Sequence, residues 1–473
     1  MSACWGLTRR LLPDKEERLF YTMAYKVGMV SLGCPKNQMD AELMLGRLRD
    51  AGIELTAESG LADVVIVNTC GFIEDAKKES IENILEFAQL KKEGQIQKII
   101  VTGCMAERYR EELIKELPEC DAVLGLGANG DIVEAVEAVL RGERIARFPD
   151  KGCWSLDGSR LQTTPEFFAY LRIADGCRNC CAYCAIPLIR GPLRSRSMDT
   201  VVEEAAALAA SGVKELTLVA QDTTLYGADW DGKSHLPELL ERLCGIDGLH
   251  WIRLLYCYPE HIDDRLLDVM AAQPKIARYM DIPIQHANGK VLAAMNRPGD
   301  AATLKRQIRH IREKVPGIVL RTTVMTGFPG EGKKEFAELC EFVKEMRFER
   351  LGCFAFSPEE GTPAAQFPDQ LEEKEKLRRR DIVMEEQSLI ADRYNRTQAG
   401  KTLDVLVESY DRYAECWFGR SEADAPDIDC KVFFHAPREA VQRGDVRPVG
   451  FVRIKITDTM DWDLMGELES AGE

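Results

Sequence analysis

Short apolar runs alternate with stretches of helical spacing over the first third of the chain. Residues 27–32 read as a short buried strand. A helix follows, with Asp40 placed to cap it and Leu43, Met44, Leu48 and Ala51 on one side. Residues 63–67 form the next apolar run, and Ile81, Ile84, Leu85 and Ala88 mark the helix behind it. A third strand is predicted at 98–102, with a helix from about Glu107, and a fourth at 121–124, with a helix ending near Leu140. Strands alternating with helices predict a parallel sheet covered on both faces.

Residues 142–164 break this rhythm with Pro149, Gly152 and Gly158 and read as a linker. Alternation then resumes. Strands are predicted at 168–173, 215–220, 251–256, 279–284, 318–324 and 351–356, with helices such as 201–210, 335–346 and 372–395. Six such units are fewer than a full barrel holds. A partial barrel and an open doubly wound sheet fit the pattern equally well. Beyond about residue 396, short strands at 402–408, 415–419, 431–435 and 450–457 are split by Gly, Pro and Asp, as in a small all-β module. The expected organisation is α/β: a first domain at 24–141, a linker at 142–164, a core at 165–395 and the β module at 396–470.

Composition narrows the class. The 473 residues are 45% hydrophobic and 30% charged, with a net charge of −16, which excludes a disordered or collagen-like chain. The acidity argues against coating nucleic acid through bulk charge. No stretch reaches about 18 uninterrupted apolar residues, so no membrane span is expected. The first 22 residues hold Arg9 and Arg10 but only Leu11-Leu12 as an apolar run, which is no secretory signal. They read as an extension outside the fold, since regular patterning starts at Lys26. A cytoplasmic protein is expected, in which the 16 cysteines are reduced thiols, core residues or metal ligands.

Cys177, Cys181 and Cys184 form C-x3-C-x2-C in a loop directly after the first strand of the second domain. Three close thiolates can bind three irons of a 4Fe-4S cube and leave the fourth open to a non-protein ligand. Cys180 permits a second register, C-x2-C-x3-C from 177, 180 and 184. A zinc knuckle needs a fourth nearby ligand, and the nearest histidine is His235. Cys34, Cys70 and Cys104 each follow a predicted strand, where ligand sites of parallel sheets gather. By spacing alone they are a second ligand set or three buried core thiols. Cysteines 4, 120, 153, 244, 257, 340, 353, 416 and 430 show no ligand spacing and read mostly as core. Gln221 and Asp222, Gln285 and His286, and the run 327–331 stand at the ends of predicted core strands, where barrel active sites lie. For His286 the alternative is a structural hydrogen bond, and for Gly327 and Gly330 a tight turn.

The C-x3-C-x2-C motif with Tyr183 before its last cysteine resembles the radical S-adenosylmethionine signature. The runs Ser31-Leu-Gly-Cys-Pro-Lys-Asn37 and Asn68-Thr-Cys-Gly-Phe72 resemble the methylthiotransferases within that superfamily. Together with Leu218-Val-Ala-Gln-Asp222, Tyr256-Cys-Tyr-Pro259, Asp281-Ile-Pro-Ile-Gln-His286 and Gly327-Phe-Pro-Gly-Glu331, they look like the branch that modifies ribosomal protein S-twelve. The transfer-RNA branch has a different flavour where this chain reads Pro35-Lys36-Asn37. The likeness runs from about residue 26 to 470.

This resemblance implies a flavodoxin-like first domain, a partial β/α (radical SAM) barrel and a C-terminal TRAM domain. It implies two 4Fe-4S clusters, one on Cys34, Cys70 and Cys104 and one on Cys177, Cys181 and Cys184, with Cys180 a spare thiol. The second cluster would bind S-adenosylmethionine, whose radical takes hydrogen from the β-carbon of an aspartate, and the first would present sulfur. Gln221, Asp222, Gln285, His286, Gly327 and Glu331 would hold parts of S-adenosylmethionine. The implied partners are the basic ribosomal protein and an electron donor such as a flavodoxin. Residues 395–473 carry 10 Lys+Arg against 16 Asp+Glu, which suits a basic protein better than RNA, so no stable nucleic-acid binding is expected. Asp411, Glu415, Asp424, Asp427 and Asp429 are the acidic residues expected to face that protein.

Overall fold

The computed structural model describes residues 25–469. The expected extension at 1–22, and Cys4 within it, lies outside the described residues. Strands β1 (Lys26–Ser31), β2 (Glu54–Thr56), β3 (Val64–Thr69), β4 (Lys98–Gly103), β5 (Ala122–Leu124) and β6 (Ile145–Arg147) form one sheet in the order β2-β1-β3-β4-β5-β6. Every pairing is parallel, and the first five positions follow the flavodoxin-like order. Helices α1 (Pro35–Asp50), α2 (Glu74–Lys92), α3 (Cys104–Glu116) and α4 (Ile132–Leu140) make the crossovers. The period of two along β3 feeds two cores. Val64 and Ile66 pack with Leu43, Met44 and Ala135 on one face. Val65 and Val67 pack with Ile84, Ala88 and Met105 on the other.

Local rules misplace some details here. Asp40 is no cap: α1 starts at Pro35 with Cys34 as its N-cap, a position where proline loses nothing by lacking an N–H. Ile81 and Leu85 are exposed, so α2 buries a narrower stripe than expected. The stretch read as linker contains β6, an edge strand with no buried position. It also returns Trp154 and Leu156 to the first core.

The second sheet contains β7 (Phe168–Arg172). A two-residue ladder of β8 (Ala174–Asp175) and β9 (Arg194–Ser195) follows it. Then come β10 (Glu215–Val219), β11 (Trp251–Leu254), β12 (Ile276–Asp281), β13 (Val319–Thr326) and β14 (Arg350–Ala355). The order β14-β13-β12-β11-β10-β7 is parallel and open. Strand order never reverses, so this is a partial barrel, not a doubly wound sheet.

The C-terminal strands β15 (Thr402–Asp411), β16 (Cys416–Ser421), β17 (Val432–His435), β18 (Phe451–Met460) and β19 (Asp463–Leu468) close into a barrel, β15-β16-β17-β19-β18. β19 goes beyond the strands legible from apolar runs. One of its inward positions is Gly466, where a Cβ would come within 2.5 Å of Ile454.

This barrel packs under the N-terminal ends of the core strands through charge. Glu215, fully buried, pairs with Arg253 at 2.6 Å and with Arg420 of β16 at 2.8 Å. Arg350 pairs with Asp424 at 2.7 Å, and the Tyr279 hydroxyl donates to Asp429 at 2.6 Å. Asp424 and Asp429 are therefore not substrate-facing, because core arginines and a tyrosine occupy them. Asp427 accepts from the Tyr170 hydroxyl at 3.5 Å. Asp411 accepts from the N–H groups of Tyr413 and Ala414 in a surface turn. Among the other thiols, Cys120, Cys257, Cys353, Cys416 and Cys430 are buried, Cys244 and Cys340 are half-buried, and Cys153 is exposed.

Burial alone raises the Glu215 carboxyl, but Arg420 and Arg253 outweigh it and hold it below its ordinary 4.5. A depressed carboxyl stabilises the fold above its unfolded value and loses that contribution as pH falls through the folded value. The joint should therefore hold at neutral pH and loosen below about 4.5. Arg420→Met should cost about 3 kcal/mol in denaturant unfolding and should flatten that acid limb.

Candidate functional site

The first cysteine set stands at three strand ends of the N-terminal sheet. Cys34 follows β1, Cys70 follows β3 and Cys104 opens α3 after β4. Gly33 and Gly103 adopt φ of +90° and +95°. A Cβ on Gly33 would lie 2.8 Å from the Cys70 sulfur, so only glycine lets these loops approach. Cys34 and Cys70 both act electrostatically on Cys104. Burial pushes the Cys104 thiol up to about 12, against the pull of the Arg190 cation. Asn37 braces the set: its amide donates to Leu32 O at 2.7 Å and to Asn68 O and Thr69 O at 3.2 Å.

The second set follows β8. Cys177 N donates to Gly191 O and Cys184 N to Cys181 O, both at 3.0 Å. Asn179 N donates to the Cys177 sulfur at 3.4 Å, and its amide donates to Asp222 at 2.7 Å. Cys177 and Cys181 both act on Cys184, which burial pushes up to about 12. Cys181 is buried beside the Tyr258 hydroxyl at 3.7 Å. Cys180 is exposed at φ +41°, with its carbonyl held by Asn296. Among the described residues no group of Cys, His, Asp and Glu is drawn together tightly enough for a single metal ion. A four-iron cube asks for wider spacing, since each thiolate binds a different iron.

Buried charges join the two sets. Asp40 pairs with Arg172 at 2.5 Å and with Arg190 at 2.8 Å. Arg190 reaches Asp175 at 3.3 Å, just ahead of the second cysteine loop. It also donates to the Cys104 sulfur at 3.4 Å. Around this network, Cys104, Leu126, Ala185 and Ile189 share one apolar contact across the domains. Lys36 is buried with its ammonium 3.3 Å from the centre of the Tyr256 ring. Sequence reasoning missed Lys36, Asp40, Arg172, Asp175 and Arg190 as site residues. The available signal was charge inside otherwise apolar runs, as Arg172 and Asp175 show.

The core strand ends divide into two groups. Gln221 and Asp222, after β10, belong to the cysteine loop. The Gln221 amide donates to Asp175 at 2.7 Å. Its carbonyl oxygen is buried with no hydrogen-bond partner among the described residues, an acceptor open to an ammonium or hydroxyl. Asp222 holds Asn179 and lies 3.1 Å from the His261 ring. Gln285, at φ +66°, bonds by its backbone to Thr323 and Met325. His286 and Glu331 are fully buried and 3.2 Å apart. Glu331 also accepts from Arg379 at 2.6 Å and from Gly327 N at 3.1 Å, tying the 327–331 turn to the helix Glu373–Arg396.

Three family matches cover these parts. Residues 26–125 match the uncharacterized protein family UPF0004, residues 171–343 the radical SAM superfamily and residues 399–468 the TRAM domain. The fold is similar to that of the radical S-adenosylmethionine methyltransferase TsrM from Kitasatospora setae. There the TM-score is 0.54 at 17% identity, over 72% of this chain and 77% of that one. The chain is thus of the radical SAM class, with a UPF0004 domain before the core and a TRAM domain after it.

Over 94% of its length it is 46% identical to the ribosomal protein uS12 methylthiotransferase RimO of Lachnoclostridium phytofermentans, covering 100% of that protein. It is 45% identical to the protein of the same name from Geobacter sulfurreducens, over 94% of this chain and 99% of that one. The chain belongs to the ribosomal protein uS12 methylthiotransferase family.

Asp40→Asn would leave Arg172 buried without a counter-charge, at a cost of about 3–5 kcal/mol. Limited proteolysis of the purified protein should then cut between the first and second domains faster than in wild type.

Proposed function

We propose that this protein methylthiolates ribosomal protein uS12 at the β-carbon of an aspartate, using two 4Fe-4S clusters and S-adenosylmethionine. The observation that carries this is the pair of cysteine sets at strand ends, turned toward each other by Asp40 and Arg190. Cys34, Cys70 and Cys104 would hold one cluster, and Cys177, Cys181 and Cys184 the other. Three thiolates would leave one iron of each cube open to a non-protein ligand. When bound, these groups supply the one-electron reduction and the sulfur needed at a carbon that no acid–base pair can deprotonate.

The protein's own residues orient and shield. Arg190 donates to the Cys104 sulfur, and Asn179, held by Asp222, donates to the Cys177 sulfur. The unpartnered Gln221 oxygen is an acceptor for the amino-acid end of S-adenosylmethionine. Gln285 lies on the same rim. His286 and Glu331 act through Gly327, whose turn they fix against the core. Tyr258 covers Cys181, with the Arg297 guanidinium 4.2 Å from its ring centre.

The working domains are 24–141, 165–395 and 396–470, and the stretch 142–164 completes the first with β6, Trp154 and Leu156 before leading into the second. The setting is cytoplasmic, with an electron donor such as a flavodoxin and without stable nucleic-acid binding. Among the described residues no helix is long and apolar enough to cross a membrane.

Deletion of the gene should remove the methylthio mass from uS12 and leave transfer RNA unchanged by mass spectrometry. The reverse pattern overturns the choice of substrate. Anaerobically reconstituted Cys181→Ala should lose reductive cleavage of S-adenosylmethionine to background while Cys180→Ala retains it. Cleavage surviving in Cys181→Ala would sink the ligand assignment.

A further inference from the structure

Lys36 is the anomaly among the buried cations near the site. It is 8% exposed, in the first turn of α1 two residues after Cys34. The neighbouring buried guanidiniums are matched: Arg172 with Asp40, Arg190 with Asp40 and Asp175, and Arg297 with Glu260. Among the described residues, no carboxylate lies within ion-pair distance of Lys36. Its close partner is the face and hydroxyl of Tyr256. A cation–π contact offsets part of the desolvation of an ammonium but supplies no negative charge. The Cys34 thiolate supplies part of the missing negative charge, and a ligand anion would complete it.

Its position says where that ligand lies. Lys36 is within electrostatic reach of Cys34 in the first set and of Cys184 in the second. Its partner Tyr256 follows β11 at the C-terminal rim of the core sheet and is held at φ +61°. The Tyr256 N–H is fixed on Asp281 at 3.1 Å. Backbone strain of this kind persists where the surroundings enforce it, and it clusters at ligand sites. An anion binding Lys36 would therefore sit between the two cysteine sets.

We propose that the Lys36 ammonium receives the side-chain carboxylate of the target aspartate and makes the site selective for an acidic residue. The inference rests on the aspartate substrate assigned above. A carboxylate is bonded directly to the β-carbon that is modified. Pinning it to a buried cation fixes that carbon in the space between the two sites, and a neutral amide cannot make the same ion pair.

The test is equilibrium binding of purified uS12 to the reconstituted holoenzyme, using native uS12 and a form whose target aspartate is asparagine. Wild type should bind the aspartate form about tenfold or more tightly than the asparagine form. Lys36→Met should erase that difference while leaving affinity for the asparagine form unchanged, and Lys36→Arg should keep a preference for aspartate. Equal binding of both forms by wild type overturns the inference, whether or not any variant folds. So does an aspartate preference that survives in Lys36→Met, or a parallel loss for both forms, which would mark a structural lysine. If wild type neither binds nor modifies native uS12, the substrate reading itself fails, and this is visible before any variant is made.

Discussion

One buried carboxylate sets the geometry of this molecule. Asp40 lies on a helix of the first domain and holds Arg172 and Arg190 of the second in a place almost wholly closed to solvent. A dry ion pair is a poor source of net stability but a strict source of position, since any other arrangement leaves charge unpaired. Two parallel sheets have many ways to pack face to face or edge to edge. With the C-terminal ends of β1, β3 and β4 held against the loop after β8, one arrangement is left. Arg190 then serves both sites, with one hand on Asp175 beside the second cysteine loop and the other on the Cys104 sulfur.

The same use of charge recurs at the far end of the core. The acidity of the C-terminal barrel is partly turned inward, where Asp424 and Asp429 meet Arg350 and Tyr279, and Glu215 of the core meets Arg420 of the barrel. Net charge counted along a sequence therefore overstates what a domain presents to a partner. The TRAM barrel is held under the strand N-termini, at the opposite end of the sheet from the cysteines.

What could be read in advance follows from the range of each interaction. The 177–184 cysteines are legible because their spacing is local. The 34, 70 and 104 set is only half legible: each follows an apolar run, two of them with an intervening glycine, but that spacing suits buried core thiols as well as ligands. The sheets are legible from their apolar runs, except where strands lack apolar pattern: β2 and β6 at the two edges of the first sheet, the two-residue β9, and β19 with a glycine facing inward. Asp40 reads as a cap because a short polar residue ahead of an apolar stripe looks like one. Its true partners lie 132 and 150 residues away, beyond any local rule. Lys36 was invisible as a special residue for the converse reason: a lysine in a first turn is ordinary until its burial is known.

The reach of Arg190 also bears on how the protein is made. The first sheet is finished at Arg147, and a ribosome delivers domains in order from the N-terminus. At that moment Cys34, Cys70 and Cys104 have all been synthesised. The guanidinium that touches Cys104, and the cations that neutralise Asp40, still lie upstream of the exit. The contacts of Asp40 and of the Cys104 sulfur are thus complete only once residue 190 has emerged. A truncated first domain would keep Asp40 without either of its two arginines, so its strand ends would be held less firmly than in the full chain.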